Sequence, residues 1–299
     1  MSSIATQSAF APSRADIRVG LIGAGIQASL TPVMHMREGR AQGLSYDYRL
    51  IDLEALSLRP EALPDLLAAA ERVGYAGLNI THPCKQAVLQ HLDGLSDDAR
   101  ALGAVNTVVL RDGQRIGHNT DWWGFAEAFK RTLAGAATGI VLQFGAGGAG
   151  AAVAHALLTC GVRELRLIET DAAKASALAA VLSARFPDAK VTAGWSAADA
   201  VAGAVGLVNT TPVGMAKYPG LPLDARLLRR ELWIADIIYF PLETELLRRA
   251  RALGCRTMGG GGMAVFQAVA AFELFCGRKA DSTRMQQHFA ELTGATPKT

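Results

Sequence analysis

The amino-acid sequence predicts an α/β protein built mostly from parallel β-sheets. Short apolar runs alternate with longer helical stretches along nearly the whole chain, and this alternation is typical of βαβ units. Half of the 299 residues are hydrophobic and 19% are charged, which excludes wholesale disorder and leaves enough apolar surface for a large core. At this length we expect one large domain or two medium ones.

The apolar runs and the stretches between them predict the individual elements in order. Strands are predicted at 17–22, 45–51, 77–80, 107–110, 114–118, 140–144, 164–168, 191–194, 205–209, 232–236 and 256–258. Helices are predicted at 31–42, 60–73, 84–92, 97–102, 121–133, 149–160, 172–185, 243–253 and 263–274.

The domain boundary is predicted near residue 120. A short turn at 111–115 joins two strands, and the helix from Asp121 leads directly into a glycine-rich run. The sequence here has no Pro/Ser-rich linker, so we expect the domains to share helices. We place a substrate-binding and catalytic domain at 1–120, a nucleotide-binding domain at 121–254, and residues 255–299 back in the first domain.

Charge and cysteine content exclude several classes of protein. The net charge is only +3 and no block of Lys and Arg is present, so we expect no nucleic-acid partner. Residues 132–162 carry no charged side chain, but a Gly/Ala turn interrupts them, so we expect no membrane span. Four scattered cysteines without a CxxC pair indicate reduced thiols and no zinc site.

The N-terminal stretch bears on the expected location of the protein. Residues 1–16 lack the basic start and the apolar block of a secretory signal. Together with the reduced cysteines, this predicts a cytoplasmic protein.

Two glycine-rich turns each follow a predicted strand and precede a helix. The first spans 23–28 and has Asp52 at the end of the next strand; the second spans 145–150 and has Glu169 and Asp171 there. We expect the second turn to hold a dinucleotide in a Rossmann domain, because its third glycine allows close packing of helix on strand and its helix begins at once. In the first turn, Ser29, Thr31 and Pro32 intervene before the helix.

The acids after the second turn favour NAD as the cofactor. Glu169 is placed where a carboxylate would bind a ribose 2′-hydroxyl, whereas a 2′-phosphate would require Arg nearby and would be repelled by carboxylates. The first cation after these acids is Lys174.

Polar clusters lie at the ends of several predicted strands of the first domain. They are Ser29-Leu-Thr31-Pro32, Asn79-Ile-Thr81-His-Pro-Cys-Lys85 and Gly117-His118-Asn119-Thr120-Asp121, and Asn106 stands at the start of a further strand. Ligands of α/β sheets bind beyond the carboxyl ends of the strands. We therefore expect a small polyhydroxylated, neutral or anionic ligand in this domain.

These motifs resemble the shikimate dehydrogenase family, in particular its quinate/shikimate dehydrogenase branch, over about residues 17–290. Further matching stretches are Gly103-Ala-Val-Asn106-Thr, residues 145–150, Asn209-Thr-Thr-Pro-Val-Gly-Met215 and Met263-Ala-Val-Phe-Gln267-Ala. The resemblance implies an N-terminal α/β substrate domain, a doubly wound Rossmann domain, and C-terminal helices that return to the substrate domain.

The resemblance also implies roles for individual residues. Lys85 and Asp121 match the catalytic pair that moves the proton. Ser29 and Thr31 would hold the substrate carboxylate, Thr81 and Asn106 the ring hydroxyls, and Gln267 would close over the substrate. Tyr239 would contact the substrate or pack. The cofactor would contact Gly145, Ala146, Gly147, Gly148, Ala149, Gly150, Glu169, Asp171, Asn209, Thr210, Met215 and Gly260.

Two departures from the family pattern favour an NAD-linked, catabolic quinate/shikimate enzyme. Thr31 replaces the second serine of the family's Ser-x-Ser, a feature of members that accept quinate as well as shikimate. Glu169-Thr-Asp171 replaces the basic cluster of NADP-using members. The alternatives are an NADP-dependent biosynthetic shikimate dehydrogenase and a non-catalytic paralogue that binds NAD or another ligand. We expect a monomer or homodimer and no metal.

Overall fold

A computed structural model describes residues 16–294 and divides into two compact units. The first unit comprises the chain up to Thr120 together with the segment from Gln267, and the second comprises Asp121–Phe266. The return to the first unit thus begins at Gln267 and not at the expected residue 255. The reason is that the strand Arg256–Met258 pairs with Trp233–Asp236 in the sheet of the second unit.

The bounds of the elements follow the apolar pattern closely. The strands are β1 (Ile17–Gly23), β2 (Tyr46–Asp52), β3 (Gly77–Ile80), β4 (Gly94–Leu95), β5 (Thr107–Arg111), β6 (Gln114–His118), β7 (Ile140–Phe144), β8 (Glu164–Ile168), β9 (Lys190–Ala193), β10 (Ala204–Asn209), β11 (Trp233–Asp236) and β12 (Arg256–Met258). The α-helices are α1 (Thr31–Ala41), α2 (Leu63–Arg72), α3 (Cys84–Ala87), α4 (Asp97–Leu102), α5 (Asp121–Thr132), α6 (Gly148–Thr159), α7 (Ala172–Arg185), α8 (Ala197–Ala200), α9 (Glu245–Ala252), α10 (Gly261–Cys276) and α11 (Ser282–Thr293).

The first unit is built on a mixed six-stranded sheet in the order β2-β1-β3-β5-β6-β4. Strands β2, β1 and β3 are parallel, whereas β5 runs antiparallel to β3 and to β6. One face packs against apolar side chains of α2, including Leu66 and Leu67. The other face packs against Phe272 and Phe275 of α10. Helices cover both faces of the parallel part of this sheet, so its central strand β3 is buried along its whole length.

The second unit is a parallel six-stranded sheet in the order β12-β11-β10-β7-β8-β9. The chain starts at β7, moves outward through β8 and β9, and then returns to β10 beside β7. This is the doubly wound Rossmann order, and its ligand crevice lies where the strand order reverses, beyond the ends of β7 and β10. Both predicted sheets are therefore present.

Three elements were not predicted: β4, α8 and α11. The first two are very short, and most side chains of α11 are polar. The predicted helix at 84–92 is also shorter, because residues after Ala87 continue as a 3₁₀ turn. Between residues 16 and 294, no helix is both long and apolar enough to cross a membrane.

Candidate active site

The predicted site residues are divided between the two units. The first unit contains Ser29, Thr31, Thr81, Lys85, Asn106 and Gln267, and the second contains Asp121, Tyr239 and all the predicted cofactor residues.

In the first unit, the loops after β1 and β3 leave the same edge of the sheet. The strands are parallel neighbours with Ile22 opposite Ile80, and the amide of Thr81 donates to the carbonyl of Ile22 at 2.9 Å. A Cβ added to Gly23 would lie 2.2 Å from Cγ2 of Thr81. Glycine at this position therefore allows the two loops to approach closely enough to bring Thr81 to the sheet edge.

The backbone also joins Lys85 to the segment that carries Asn106. The amide of Val105 donates to the carbonyl of Lys85 at 2.9 Å, and the amide of Ile80 donates to the carbonyl of Asn106 at 2.8 Å. Lys85 is half-buried on α3 and Asn106 is 3% exposed. The structure thus brings two of the predicted substrate-side residues onto adjoining segments.

A buried network of polar side chains orients Asn106. Its Oδ1 accepts from the amide of Thr120 at 2.7 Å, and its Nδ2 donates to Oγ1 of Thr120 at 2.9 Å. The hydroxyl of Thr107 donates to the same Oδ1, and Asn79 donates to Thr107 while accepting from Tyr48. Sequence reasoning singled out Asn106 but missed Tyr48 and Thr107, although a polar residue inside an apolar strand signals such a network.

Ser29, Thr31 and Gln267 are each half-buried. The amide of Thr31, the first residue of α1, donates to Oγ of Ser29 at 3.4 Å, which places the Ser29 hydroxyl at the start of this helix. Gln267 lies on the mostly apolar α10, next to the fully buried Ala268.

The amides of the first glycine turn bind the carboxylate of Asp52. The carboxylate of Asp52 accepts from the amides of Gly25, Ile26 and Glu54 and from Nε2 of Gln27, at 2.9–3.1 Å. Burial raises the pKa of Asp52, but these hydrogen bonds outweigh it and lower the pKa overall. A carboxylate on these amides gives a physical reason why this turn would not bind a phosphate.

The second glycine turn is built to bring helix α6 onto strand β7. Gly145 has φ +94°, and a Cβ on Gly150 would lie 2.5 Å from the carbonyl oxygen of Gly145. A Cβ on Gly148, in contrast, would meet nothing within 4 Å. No side chain caps the N-terminus of α6, so its first amides and its dipole suit an anionic ligand such as a pyrophosphate.

Gln143 supports this turn from inside the sheet, a role that sequence reasoning missed. Its side chain is fully buried, and its Nε2 donates to the carbonyls of Gly145 and Gly150 at 2.9 and 2.8 Å. The hydroxyl of Thr210 donates a hydrogen bond to the carbonyl of Phe144 at 2.6 Å. Thr210, one of the predicted cofactor residues, therefore contacts the backbone of the turn directly.

Glu169 is fixed beside the glycine turn. Its Oε2 accepts from the amide of Ala146 at 2.9 Å, and its Oε1 accepts from the amide of Thr170 at 2.8 Å. Burial raises the pKa of Glu169, but the hydrogen bonds outweigh this effect and lower it overall. Asp171 caps the N-terminus of α7 by accepting from the amide of Lys174. A permanent negative charge is thus held next to the turn.

Lys174 brings a cation to the same place. Its Nζ lies 3.9 Å from the position that a Cβ on Gly147 would occupy. The carboxylate of Glu169 and the ammonium group of Lys174 therefore both lie beside the turn. Their opposite charges have opposite effects on the binding of a 2′-phosphate, the group that distinguishes NADP from NAD.

The remaining predicted cofactor residues lie at the ends of β10, β11 and β12. Asn209 ends β10 and is opposite Phe144 of β7, and Met215 follows in the same loop with 39% of its surface exposed. A Cβ on Gly260 would lie 2.1 Å from the carbonyl oxygen of Ile237, so only glycine allows this approach to the loop after β11. These segments flank the crevice at the reversal of strand order.

Tyr239 is in the same unit as Asp121 and is influenced by it. Burial, followed by the negative charge of Asp121, raises the pKa of Tyr239. The Tyr239 and Phe240 rings are 4.9 Å apart, and both residues remain partly exposed. Tyr239 thus packs against Phe240 and still has exposed surface with which it can contact a ligand.

Among residues 16–294, no group of three or more His, Cys, Asp or Glu side chains is arranged to hold a metal ion.

The sequence of this chain is similar to those of known dehydrogenases. The family model described as the shikimate dehydrogenase substrate binding domain matches residues 21–108. The chain is 56% identical to the shikimate dehydrogenase (NADP(+)) of Arthrobacter sp. (strain FB24) over 93% of this chain and 95% of that protein. It is 47% identical to the quinate/shikimate dehydrogenase (NAD(+)) of Corynebacterium efficiens over 92% of this chain and 98% of that protein.

A solved structure shows the same likeness in three dimensions. The quinate dehydrogenase of Corynebacterium glutamicum in complex with NAD superposes with a TM-score of 0.87 at 46% identity, over 92% of this chain and 99% of that one.

Proposed function

The chain belongs to the shikimate dehydrogenase family, whose members are oxidoreductases that use a nicotinamide cofactor, and we propose that it oxidises quinate and shikimate to their 3-dehydro acids with NAD. The proposal of NAD is carried by one observation: the Glu169 carboxylate, fixed by Ala146 and Thr170 beside the glycine turn. An anion there accepts a bond from a ribose 2′-hydroxyl and repels a 2′-phosphate.

The residues of the second unit fit a dinucleotide. The open space at Gly148 and the uncapped amides of α6 suit a pyrophosphate. When bound, the nicotinamide ring supplies the acceptor for a hydride from carbon. The protein must bind the two ligands, orient them and take up the hydroxyl proton.

The substrate side of the proposal rests on the first unit. Ser29 and Thr31 would bind the carboxylate of the substrate, and Thr81 and Asn106 would bind its ring hydroxyls. Fixed orientation of Asn106 by Thr120 supports this role, because an amide held at both ends discriminates between hydroxyl positions. Gln267 would cover the bound ring.

Lys85 and Asp121 would act as the proton-transfer pair. As the C–H bond of the secondary alcohol gives up its hydride, the O–H bond would give its proton to Nζ of Lys85, which must be a neutral amine to accept it and which a nearby carboxylate would stabilise once it is charged. Asp121 would be that carboxylate, and Tyr239 would lie beside it.

An NADP-linked shikimate dehydrogenase is the second candidate. Relatives that are 55–56% identical to this chain are named for NADP(+), and Lys174 places an ammonium group at the glycine turn, where it would offset the charge of Glu169 toward a 2′-phosphate.

Steady-state assays with quinate or shikimate, each with NAD or NADP, test the proposal. We expect turnover of both acids with NAD and little with NADP. Glu169→Ser should raise kcat/KM for NADP relative to NAD, whereas Lys174→Met should leave the value for NAD nearly unchanged. Turnover of shikimate alone, with NADP and with a large loss in Lys174→Met, would instead establish the second candidate.

A further inference from the structure

Asp236 is a buried carboxylate that the proposed chemistry does not use. It ends β11, is 0% exposed, and lies opposite Asn209, the last residue of β10. Both residues are at the sheet edge from which the loop with the predicted cofactor residues Thr210 and Met215 departs.

Three donors converge on this carboxylate, one from the end of β10 and two from the connection between β11 and α9. Its Oδ1 accepts from Nδ2 of Asn209 and from the amide of Ile238, both at 3.1 Å. Its Oδ2 accepts from Oγ1 of Thr244 at 2.8 Å. All three donors are uncharged, so hydrogen bonds alone compensate for burial of the charge.

Each donor in turn fixes a loop or a helix end. Asn209 also donates to the carbonyl of Val213 and accepts from the amide of Thr211, which holds the loop leading to Met215. Thr244, 1% exposed, is the N-cap of α9.

Ile238, the third donor, connects Asp236 to the segment that carries Gly260. Ile238, whose amide is bound to Asp236, accepts from the amide of Gly260 at 3.3 Å and directly precedes Tyr239.

We propose that Asp236 is a positioning residue that holds the loops carrying Met215, Tyr239 and Gly260 in the arrangement that receives the nicotinamide ring. This inference rests on the proposed function, because it requires a nicotinamide cofactor. A carboxylate is suited to the role because it accepts from all three donors at once, whereas an amide would turn an NH₂ group toward at least one of them.

Protonation would disturb the same arrangement. Burial raises the pKa of Asp236 to about 6, although the bonds from Thr244, Ile238 and Asn209 oppose this. Below that pH the carboxyl carries a proton that must be donated, so one of the three bonds has to be rearranged. Nicotinamide affinity should therefore fall as the pH falls through about 6.

The charged side chains of the elements beside β11 bind partners other than Asp236. On α9, Glu245 is paired with Arg248 and Arg249, and Arg251 is paired with Glu243 of the preceding loop. On β12, Arg256 donates to the carbonyl of Ala134, and Tyr239 is the remaining titratable group of the loop.

The test is fluorescence titration of the full-length protein with NADH between pH 5 and pH 8. Asp236→Asn should weaken NADH binding on the order of tenfold at pH 7.5, as expected for a lost charged hydrogen bond, and should flatten its pH dependence. Thr244→Val should weaken binding in the same direction, and the conservative Thr244→Ser should restore it. Asp224→Asn, which changes an exposed aspartate of the same unit, serves as the matched control.

Folding is checked by circular dichroism and thermal melting of each variant. If Asp236→Asn fails to fold, comparison of NADH binding by Thr244→Val and Thr244→Ser still tests the inference. Wild-type affinity and wild-type pH dependence in a folded Asp236→Asn, or equal binding by Thr244→Val and Thr244→Ser, would overturn the inference. Because NADH binding is read without substrate, failure to oxidise either acid would refute the proposed substrate while leaving this result intact.

Discussion

Single side chains in this protein acquire their properties from what surrounds them. Asp52 and Glu169 each follow a strand beside a glycine turn, yet Asp52 occupies the amides of its own turn, whereas Glu169 accepts one bond from the turn and otherwise binds its own strand end. The first arrangement closes a turn to anions and the second leaves helix amides available. The sequence predicted which turn would bind a cofactor, but the occupation of the other turn depended on the position of one carboxylate.

Lys85→Ala should reduce kcat by about 10²- to 10⁴-fold, the usual contribution of a positioned acid–base group. The substrate KM should change less. Gln86→Ala, at the exposed neighbouring position of the same short helix, is the matched control and should retain wild-type kcat. A large increase in KM with unchanged kcat would make Lys85 a binding residue and not a proton acceptor.

His35 should make the protein less stable in acid. It is fully buried on α1, pairs through Nδ1 with the hydroxyl of Tyr46, and has its pKa lowered to about 3 by burial. The unfolded chain takes up this proton near pH 6.5, so between these values the unfolded state binds more protons and the free energy of unfolding falls as the pH falls. The loss approaches about 1.4 kcal/mol for each unit of pKa difference.

Urea denaturation of the wild type and of His35→Phe between pH 7 and pH 4 measures this effect. The ring of phenylalanine suits a pocket formed by Tyr48, Phe272 and Phe275, and it cannot titrate. The variant should lose less stability over this range, and identical pH dependence in the two proteins would contradict the assignment.

Strands and helices were predicted well where their pattern is local. The parallel strands β7, β10 and β11 are predominantly apolar, and glycine turns mark where helices begin. The supports of the second glycine turn differ in this respect. Gln143 is close in sequence to the carbonyls of Gly145 and Gly150 that it binds, whereas strand pairing brings Thr210 to the carbonyl of Phe144, 66 residues earlier in the chain. A buried amide inside an apolar strand is the sequence signal that such support exists.

The glycine turn itself offers a matched pair of substitutions. Gly150→Ala places a Cβ 2.5 Å from the carbonyl oxygen of Gly145, whereas Gly148→Ala places one in open space. Gly150→Ala should destabilise the protein by about 1–3 kcal/mol through overpacking and should weaken NADH binding. Gly148→Ala should leave thermal stability at or slightly above the wild-type value. Equal melting temperatures for the two variants would show that the helix can shift to accept the methyl group.

The first unit as a whole depends on contacts between distant parts of the chain. Glu38 of α1 has a fully buried side chain and accepts from Nε and Nη2 of Arg284 on α11, both at 2.7 Å. Desolvation raises the pKa of Glu38, but the bonds from Arg284 and its neighbours lower it overall. The polar sequence of α11 did not predict a helix, and this pairing explains why it is held in place.

Arg284→Met should lower the free energy of unfolding by about 3–5 kcal/mol, because it leaves a buried carboxylate without its cation. The exposed pair Arg37–Glu291 joins the same two helices, so Arg37→Met is a closely matched control and should cost less than about 1 kcal/mol. Urea denaturation monitored by circular dichroism distinguishes these outcomes. A small effect of both substitutions would mean that Glu38 finds enough compensation from Gln42 and from the amide of Asp281.

The sequence by itself determined the α/β class, the order of the elements, the glycine turn of the Rossmann unit and the motifs that relate the chain to its family. These features are encoded locally, in apolar runs, turn residues and short motifs, and so can be recognised before folding is considered. Only the tertiary structure decided that the chain returns to the first unit at Gln267, that Asp52 occupies the first turn, and that Asp236 binds Asn209 of the neighbouring strand. Each of these depends on which strands become neighbours, and strand pairing brings together residues that no local pattern connects.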